Sequence, residues 1–145
     1  YDRKPTEEVR EVFNDNINTG YDPLYPFGYG LSYTTFGYSG LTLSSATLNA
    51  TGTLQVSVQV KNTGTRSGKH SVELYTRDLF ASITPSMRRL RAFHKISLEP
   101  GETKTVSFTL AKDDLAFVNA QLKTVTEPGE FEVIIGELKA KFTYQ

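Results

Sequence analysis

The sequence predicts an all-β domain, a two-sheet antiparallel β-sandwich of seven or eight strands. Apolar and polar residues alternate with a period of two in several stretches, and short turn motifs separate those stretches. No helical pattern long enough to form a crossover lies between them, which excludes β–α–β units. The 145 residues fit one domain, and the 38% of apolar residues are enough to fill its core.

The predicted strands follow one another along the chain. The clearest pattern begins at Leu54, where apolar residues alternate with polar ones up to Val60. The other strands are marked by Leu41 and Leu43, by Val72, Leu74 and Thr76, by residues 90–98, by Val106, Phe108 and Leu110, by Phe131, Val133 and Ile135, and by residues 138–144. This spacing favours an immunoglobulin-like or fibronectin type III-like sandwich, with a Greek-key barrel as the alternative.

One predicted strand has an irregular pattern. In the stretch 90–98, Phe93 is out of phase with Leu90, Ile96 and Leu98. We expect a β-bulge near residues 92–94 that returns Phe93 to the core.

The N-terminal part has a different composition. Thr6 precedes two glutamates, and Val9, Val12 and Phe13 have helical spacing, so we predict a short helix over residues 7–13. We interpret residues 1–21 as an extension from a preceding region, 22–36 as an aromatic Pro/Gly segment and 37–145 as the sandwich.

The aromatic segment (residues 22–36) is rich in apolar area, although its prolines and glycines prevent regular structure. Packing against a neighbouring domain would explain this composition, as would stacking of exposed tyrosines on sugar rings. The position of the segment before the first strand and the absence of Trp favour packing. The residues of this interdomain hypothesis are Leu24, Tyr25, Phe27, Tyr29 and Tyr33.

Composition argues against several classes of function. The 16 basic and 16 acidic residues balance, so no overall charge attracts nucleic acid or an anionic membrane. The basic residues Arg88, Arg89, Arg91 and Lys95 are expected on a solvated strand face. The absence of Cys removes disulfides, thiolate catalysis and cysteine–zinc sites. We therefore expect neither a cofactor nor a metal, and no nucleic-acid or membrane partner.

No motif predicts a catalytic residue. The stretch from Gly64 to His70 has three residues between its glycines where a phosphate loop has four, so a hairpin between two strands is expected. Asp113 and Asp114 begin a helical turn and are expected to cap it rather than to form a glycosidase carboxylate pair. His70 and His94 lie in different strands and are expected at the surface or at an edge.

The run Pro23-Leu-Tyr-Pro-Phe-Gly-Tyr-Gly-Leu-Ser-Tyr-Thr-Thr-Phe36 closely resembles a known segment. It is similar to the segment that enters the C-terminal fibronectin type III-like domain of family 3 glycoside hydrolases, the bacterial β-glucosidase and β-xylosidase type. The similarity continues through residues 58–64, 72–75, 90–110, 114–117 and 128–136.

The resemblance implies a non-catalytic accessory domain. In that family the nucleophilic aspartate lies in a barrel domain and the acid/base residue usually in an α/β domain, and this chain represents neither. It implies partners in those two domains, an oligo- or polysaccharide substrate bound through the parent, and a retaining hydrolysis of terminal β-linked sugars. It also implies a periplasmic or secreted bacterial parent. Two alternatives are an independent carbohydrate- or surface-binding module and a stand-alone enzyme that uses Asp113 and Asp114.

Overall fold

The computed structural model describes Tyr25, residues 29–80 and residues 88–145. Ten strands and one turn of 3-10 helix lie within these residues. They are β1 (Phe36–Leu43), β2 (Thr47–Leu48), β3 (Thr53–Asn62), β4 (Gly68–Asp78), β5 (Arg89–Leu98), β6 (Thr103–Ala111), η1 (Lys112–Leu115), β7 (Phe117–Val118), β8 (Thr124–Val125), β9 (Gly129–Ile135) and β10 (Leu138–Tyr144).

Two sheets make up the sandwich, which confirms the predicted fold class. One sheet has the order β1-β3-β6 and the other the order β2-β10-β9-β4-β5, while β7 and β8 form a separate hairpin. All pairings are antiparallel except that of β2 with β10, which is parallel. The seven longer strands match the predicted number. The three others have two residues each, too few to show an alternating pattern.

The alternating residues fill the space between the sheets. In β3 the side chains of Leu54, Val56, Val58 and Val60 are completely buried, because this strand lies between β1 and β6 and turns its apolar face inward. The strand β9 differs, since all residues from Phe131 to Ile135 are buried. It pairs with β10 on one side and β4 on the other, so it lies within its sheet. The burial of consecutive residues, whose side chains point to opposite faces, shows that both faces of the strand are covered.

The connection from β3 to β4 corrects the predicted hairpin. These two strands belong to different sheets, so residues 63–67 cross from one sheet to the other. A hairpin loop within one sheet and a loop of this length between two sheets use the same kinds of turn residue. Only the strand partners distinguish them.

The bulge in β5 lies at Arg91, and Phe93 does not return to the core. Leu74 of β4 pairs with Ala92 while Tyr75 pairs with Leu90, which leaves Arg91 as the extra residue. The inward positions after the bulge are Ala92, His94, Ile96 and Leu98. Phe93 instead pairs with Glu73 on the outer face and is 61% exposed, so the prediction for Phe93 is wrong.

The chain forms two compact units, residues 1–31 and residues 32–145. The sandwich is the second unit. The helix predicted over residues 7–13 lies outside the described residues, and the boundaries predicted after residues 21 and 36 stay predictions. In the part of the chain that is described, no helix is long and apolar enough to span a membrane.

Candidate interdomain surface

The aromatic segment exposes most of its described apolar side chains. The rings of Tyr25 and Tyr29 stack with centroids 4.9 Å apart and an interplanar angle of 30°. Both side chains are more than half exposed, while Leu31 and Tyr33 are 90% and 93% exposed. Leu24 and Phe27 of the interdomain hypothesis lie outside the described residues. The tyrosines that are described therefore have apolar area free to contact a neighbouring surface.

Thr34 fixes the point at which the chain enters the sandwich. It is buried, and its Oγ1 donates a hydrogen bond of 2.8 Å to Oδ1 of Asn62. Gly64 and Gly68 allow this close approach: a Cβ on Gly64 would overlap Thr34 Oγ1, and one on Gly68 would lie 2.6 Å from Thr34 Cγ2. Because Thr34 is fixed in this way, the backbone of the exposed Tyr33, which directly precedes it, is also restrained.

Asn62 is the polar centre of this end of the sandwich. Its fully buried side chain donates hydrogen bonds to the carbonyl oxygens of Arg66 at 2.7 Å and Leu98 at 3.1 Å. Its Oδ1 also accepts a bond from the Gly64 N–H at 3.1 Å. Because every polar atom of the side chain has a partner, the buried amide is stabilising rather than costly.

Only part of this role of Asn62 can be inferred from the sequence. An Asn two residues before a Gly indicates a turn in which the side chain bonds to the backbone, and Asn62 does bond to Gly64 in this way. The bonds to Thr34 and Leu98 could not be inferred, because these residues are 28 and 36 residues away in sequence.

His70 is half-buried on β4, with its ring against β1 of the other sheet, so it is less exposed than the predicted surface or edge position. Its ring stacks on Phe36 with centroids 4.3 Å apart, and its Nε2 lies 2.5 Å from the hydroxyl of Tyr38. Burial lowers the pKa of His70, although the charge of Glu73 opposes this. Burial, together with Glu73, raises the pKa of Tyr38 to about 12. At neutral pH both groups are therefore uncharged, and they share one hydrogen bond between the Tyr38 hydroxyl and His70 Nε2.

His94 agrees with its prediction. It is exposed on β5, which is an edge strand of the five-stranded sheet, and its ring meets the edge of Phe108 at a centroid distance of 5.0 Å.

Asp114 caps the helical turn as expected. Its Oδ2 accepts a hydrogen bond of 2.8 Å from the N–H of Ala111, which directly precedes η1. The capping role of Asp114 is confirmed, and this bond ties its carboxylate to the backbone. Across the described ranges, no group of three or more His, Asp or Glu residues is placed to hold a metal ion.

The basic cluster is less solvated than expected. Arg91 is half-buried, and its Nε donates to Thr76 Oγ1 at 2.9 Å. Both Arg89 and Arg91 donate to the carbonyl oxygen of Ala116, at 3.3 and 3.4 Å. Burial lowers the pKa of Arg91, and the nearby charge of Arg89 adds to this effect. These arginines therefore fasten β5 to the segment after η1.

Comparisons with known proteins agree with this architecture. A family described as "Fibronectin type III-like domain" matches residues 70–139. The chain is 51% identical over 133 residues to the periplasmic β-glucosidase of Salmonella typhimurium, covering 92% of this chain and 17% of that protein. It is 49% identical over 114 residues to a β-xylosidase of Formosa agariphila, covering 79% of this chain and 16% of that protein.

A solved β-glucosidase structure from Erythrobacter marinus superposes with a TM-score of 0.80 at 40% identity. The match covers 92% of this chain and 18% of that one. The chain therefore spans less than a fifth of each of these three relatives.

Proposed function

The chain is a fibronectin type III-like domain of the kind that family 3 glycoside hydrolases carry, and from this premise we propose that it is a C-terminal, non-catalytic accessory domain of a longer enzyme. The parent is a retaining β-glucosidase-like hydrolase that removes terminal, non-reducing β-linked sugars through a covalent glycosyl intermediate. Since one relative is named periplasmic, we place the parent in the periplasm or outside the cell.

The observation that carries the proposal is the unequal coverage of the two aligned chains. The match includes 92% of this chain but only 17% of the Salmonella protein, so most of that glycosidase lies outside the matching part. The local geometry also gives no support to a stand-alone enzyme, because Asp114 is engaged as a cap of η1.

The proposed role is to pack against the barrel and α/β domains of the parent. The contacts come from Leu24, Tyr25, Phe27, Tyr29 and Tyr33. The exposure of the stacked pair Tyr25 and Tyr29 supports this role, since large side chains exposed next to each other mark interaction surfaces, and Tyr33 is exposed as well. Thr34 supports it too, because its fixed position limits the motion of the adjacent contact residues.

Activity measurements on the chain and on its parent test the proposal. We expect the parent to release nitrophenol from an aryl β-glucoside or β-xyloside and the isolated 145-residue chain to release none. Turnover by the isolated chain that disappears in the Asp113→Asn variant would contradict the proposal in favour of a stand-alone enzyme. An inactive, correctly folded parent would contradict the assigned reaction.

A binding titration tests the alternative of an independent carbohydrate-binding module. The exposed tyrosines are the observation in its favour. However, Tyr25 and Tyr29 stack on each other, so each ring has one face already covered. We expect no saturable binding of soluble β-linked oligosaccharides or insoluble glucans by the isolated chain. Saturable binding that is lost in Tyr33→Ser would favour the module instead.

A further inference from the structure

The hairpin formed by β7 and β8 ends in an exposed apolar residue with an unusual backbone conformation. Leu122 is 87% exposed and has a φ of 59°. The three other described residues with positive φ are glycines: Gly40, Gly101 and Gly136. A bulky residue in this left-handed region is uncommon because its Cβ crowds the backbone.

The tip of the hairpin is held rigidly. The N–H of Asn119 donates to the Lys123 carbonyl oxygen, and the N–H of Leu122 donates to the Asn119 carbonyl oxygen. The side-chain Oδ1 of Asn119 accepts two further bonds, from the N–H groups of Gln121 and Lys123, both at 3.0 Å. These bonds hold the backbone on both sides of Leu122, so its Cα is presented at a fixed place on the hairpin tip.

Among the described residues of the sandwich, none buries the side chain of Leu122. Glycine or asparagine would adopt the same backbone conformation more easily and would expose less apolar area to water. Strained residues of this kind persist where they serve a contact. We propose that the hairpin tip (residues 119–123) is a second docking element, whose Leu122 side chain inserts into an apolar pocket on another domain of the parent glycosidase.

The proposal rests on the proposed function, because it requires a longer parent. Two relatives are long enough to contain further domains, since more than four-fifths of their length lies outside the matching part. The tip also presents one apolar side chain with a polar rim, as interfaces do: Leu122 is flanked by the exposed polar residues Gln121 and Lys123. We therefore expect a pocket with an apolar floor and with carbonyl or carboxylate oxygens at its edge to accept Lys123.

The Leu122→Asn variant tests the proposal because it has opposite effects in the two contexts. In the isolated chain, Asn relieves the backbone strain, and we expect the thermal midpoint to rise by about 3 °C. In the parent, the same variant removes the anchor, and we expect the midpoint of the parent to fall by about 3 °C or more. Leu122→Gly should show the same pair of signs.

The matched control is Phe93→Thr, which removes an exposed apolar side chain from β5. Its midpoint shift should have the same sign and size in both contexts. The proposal is overturned if Leu122→Asn raises the midpoint equally in both, or if it lowers that of the isolated chain.

Sedimentation of the isolated chain gives a further check. Self-association that Leu122→Asn abolishes would assign the pocket to a second copy and overturn the partner named above. The thermal measurement does not depend on catalysis. A parent without glycosidase activity that still shows the opposite shifts would reject the proposed function and keep the docking element.

Discussion

The side chain of Asn62 makes four hydrogen bonds in the interior, and these bonds join the start of β1, the crossing after β3 and the end of β5. We expect Asn62→Ala to lower the free energy of unfolding by about 2–4 kcal/mol, because several buried donors and acceptors lose their partner at once. Urea-induced unfolding followed by tyrosine fluorescence would measure the loss.

Thr34→Val is the matched control for Asn62→Ala. It replaces the hydroxyl by a methyl group of nearly the same size, and Oδ1 of Asn62 still accepts a hydrogen bond from the N–H of Gly64. The expected loss is only about 1 kcal/mol. Equal losses in the two variants would show that the value of Asn62 lies in its bond to Thr34 alone.

His70 makes the stability of the domain depend on pH. Its folded-state pKa lies below the ordinary value of 6.5, because burial opposes the charged ring. The unfolded chain therefore binds the proton more readily than the folded chain. The contribution of neutral His70 to the free energy of unfolding is fully present above pH 6.5 and is lost as the pH falls from there through the folded-state pKa. Glu73 opposes the shift, and Tyr38 stays neutral throughout this range.

Thermal unfolding between pH 7.5 and pH 5 would reveal the dependence on His70. We expect the midpoint to fall toward pH 5, and we expect His70→Gln to reduce that fall because glutamine does not titrate. An identical fall in the variant would assign the pH dependence to other groups.

Sequence patterns predicted the core residues well because a strand's alternation is local. The inward positions of Val72, Leu74 and Thr76, for example, are all confirmed by their burial. The polar contacts of Asn62 and His70 were not predictable in the same way. Apart from Gly64 and Arg66, which are close to Asn62 in sequence, the partners named above lie 28 or more residues away and are brought together only by the sandwich.

At the scale of the elements, β5 must protect an exposed edge. It is the last strand of the five-stranded sheet, and Lys104 already covers one of its carbonyl oxygens by donating to Ser97 at 2.7 Å. The bulge at Arg91 interrupts the same strand. Bulges and lysines at an edge prevent pairing with another chain.

Lys95→Val removes the charge from the centre of this edge. The stretch 92–98 then contains no Lys, Arg, Asp or Glu and five of its seven residues are apolar, so we expect thermal aggregation to begin at a lower temperature. The unfolding midpoint itself should change by less than about 1 °C, because the side chain is exposed. Static light scattering and calorimetry during heating would separate the two effects.

The control for the edge is Lys61→Val, the same change at an exposed position of β3. Both sides of β3 are already paired, with β1 and β6, so no free edge is available. We expect its aggregation to resemble that of the unchanged chain. If both variants aggregate alike, the effect comes from surface hydrophobicity and not from the edge.

The elements also show where the sequence misleads. The even-numbered positions of β5 face inward after the bulge, but Ala92 and His94 have too little apolar character to indicate this, so the large Phe93 suggested the wrong phase. Assignment of β3 and β4 to different sheets depends on pairing with distant strands. Local turn residues carry no information about that choice.

For the whole molecule, the alternating pattern predicted the sandwich, and the composition of the aromatic segment suggested a contact surface. The family resemblance was the basis for the proposed accessory role. The contacts that we propose for the segment could not be derived from the sequence, since the proposal places their partners on another domain. The fold limits the directions in which Tyr33 can point, because Thr34 is fixed and Tyr33, directly before it, is 93% exposed. A residue that is exposed and yet held in place has a defined direction in which to meet a neighbour.

The double variant Tyr29→Ser and Tyr33→Ser measures what this surface contributes. In the isolated chain both side chains are largely exposed, so we expect the thermal midpoint to change by less than about 1 °C. In the parent, the loss of two buried aromatic contacts should lower the midpoint by about 3–5 °C and should hasten loss of aryl β-glucosidase activity on heating. The control Phe93→Thr should leave the rate of heat inactivation of the parent unchanged. An unchanged parent midpoint in the double variant would show that the exposed tyrosines do not contact the catalytic domains, even if the parent is the expected glycosidase.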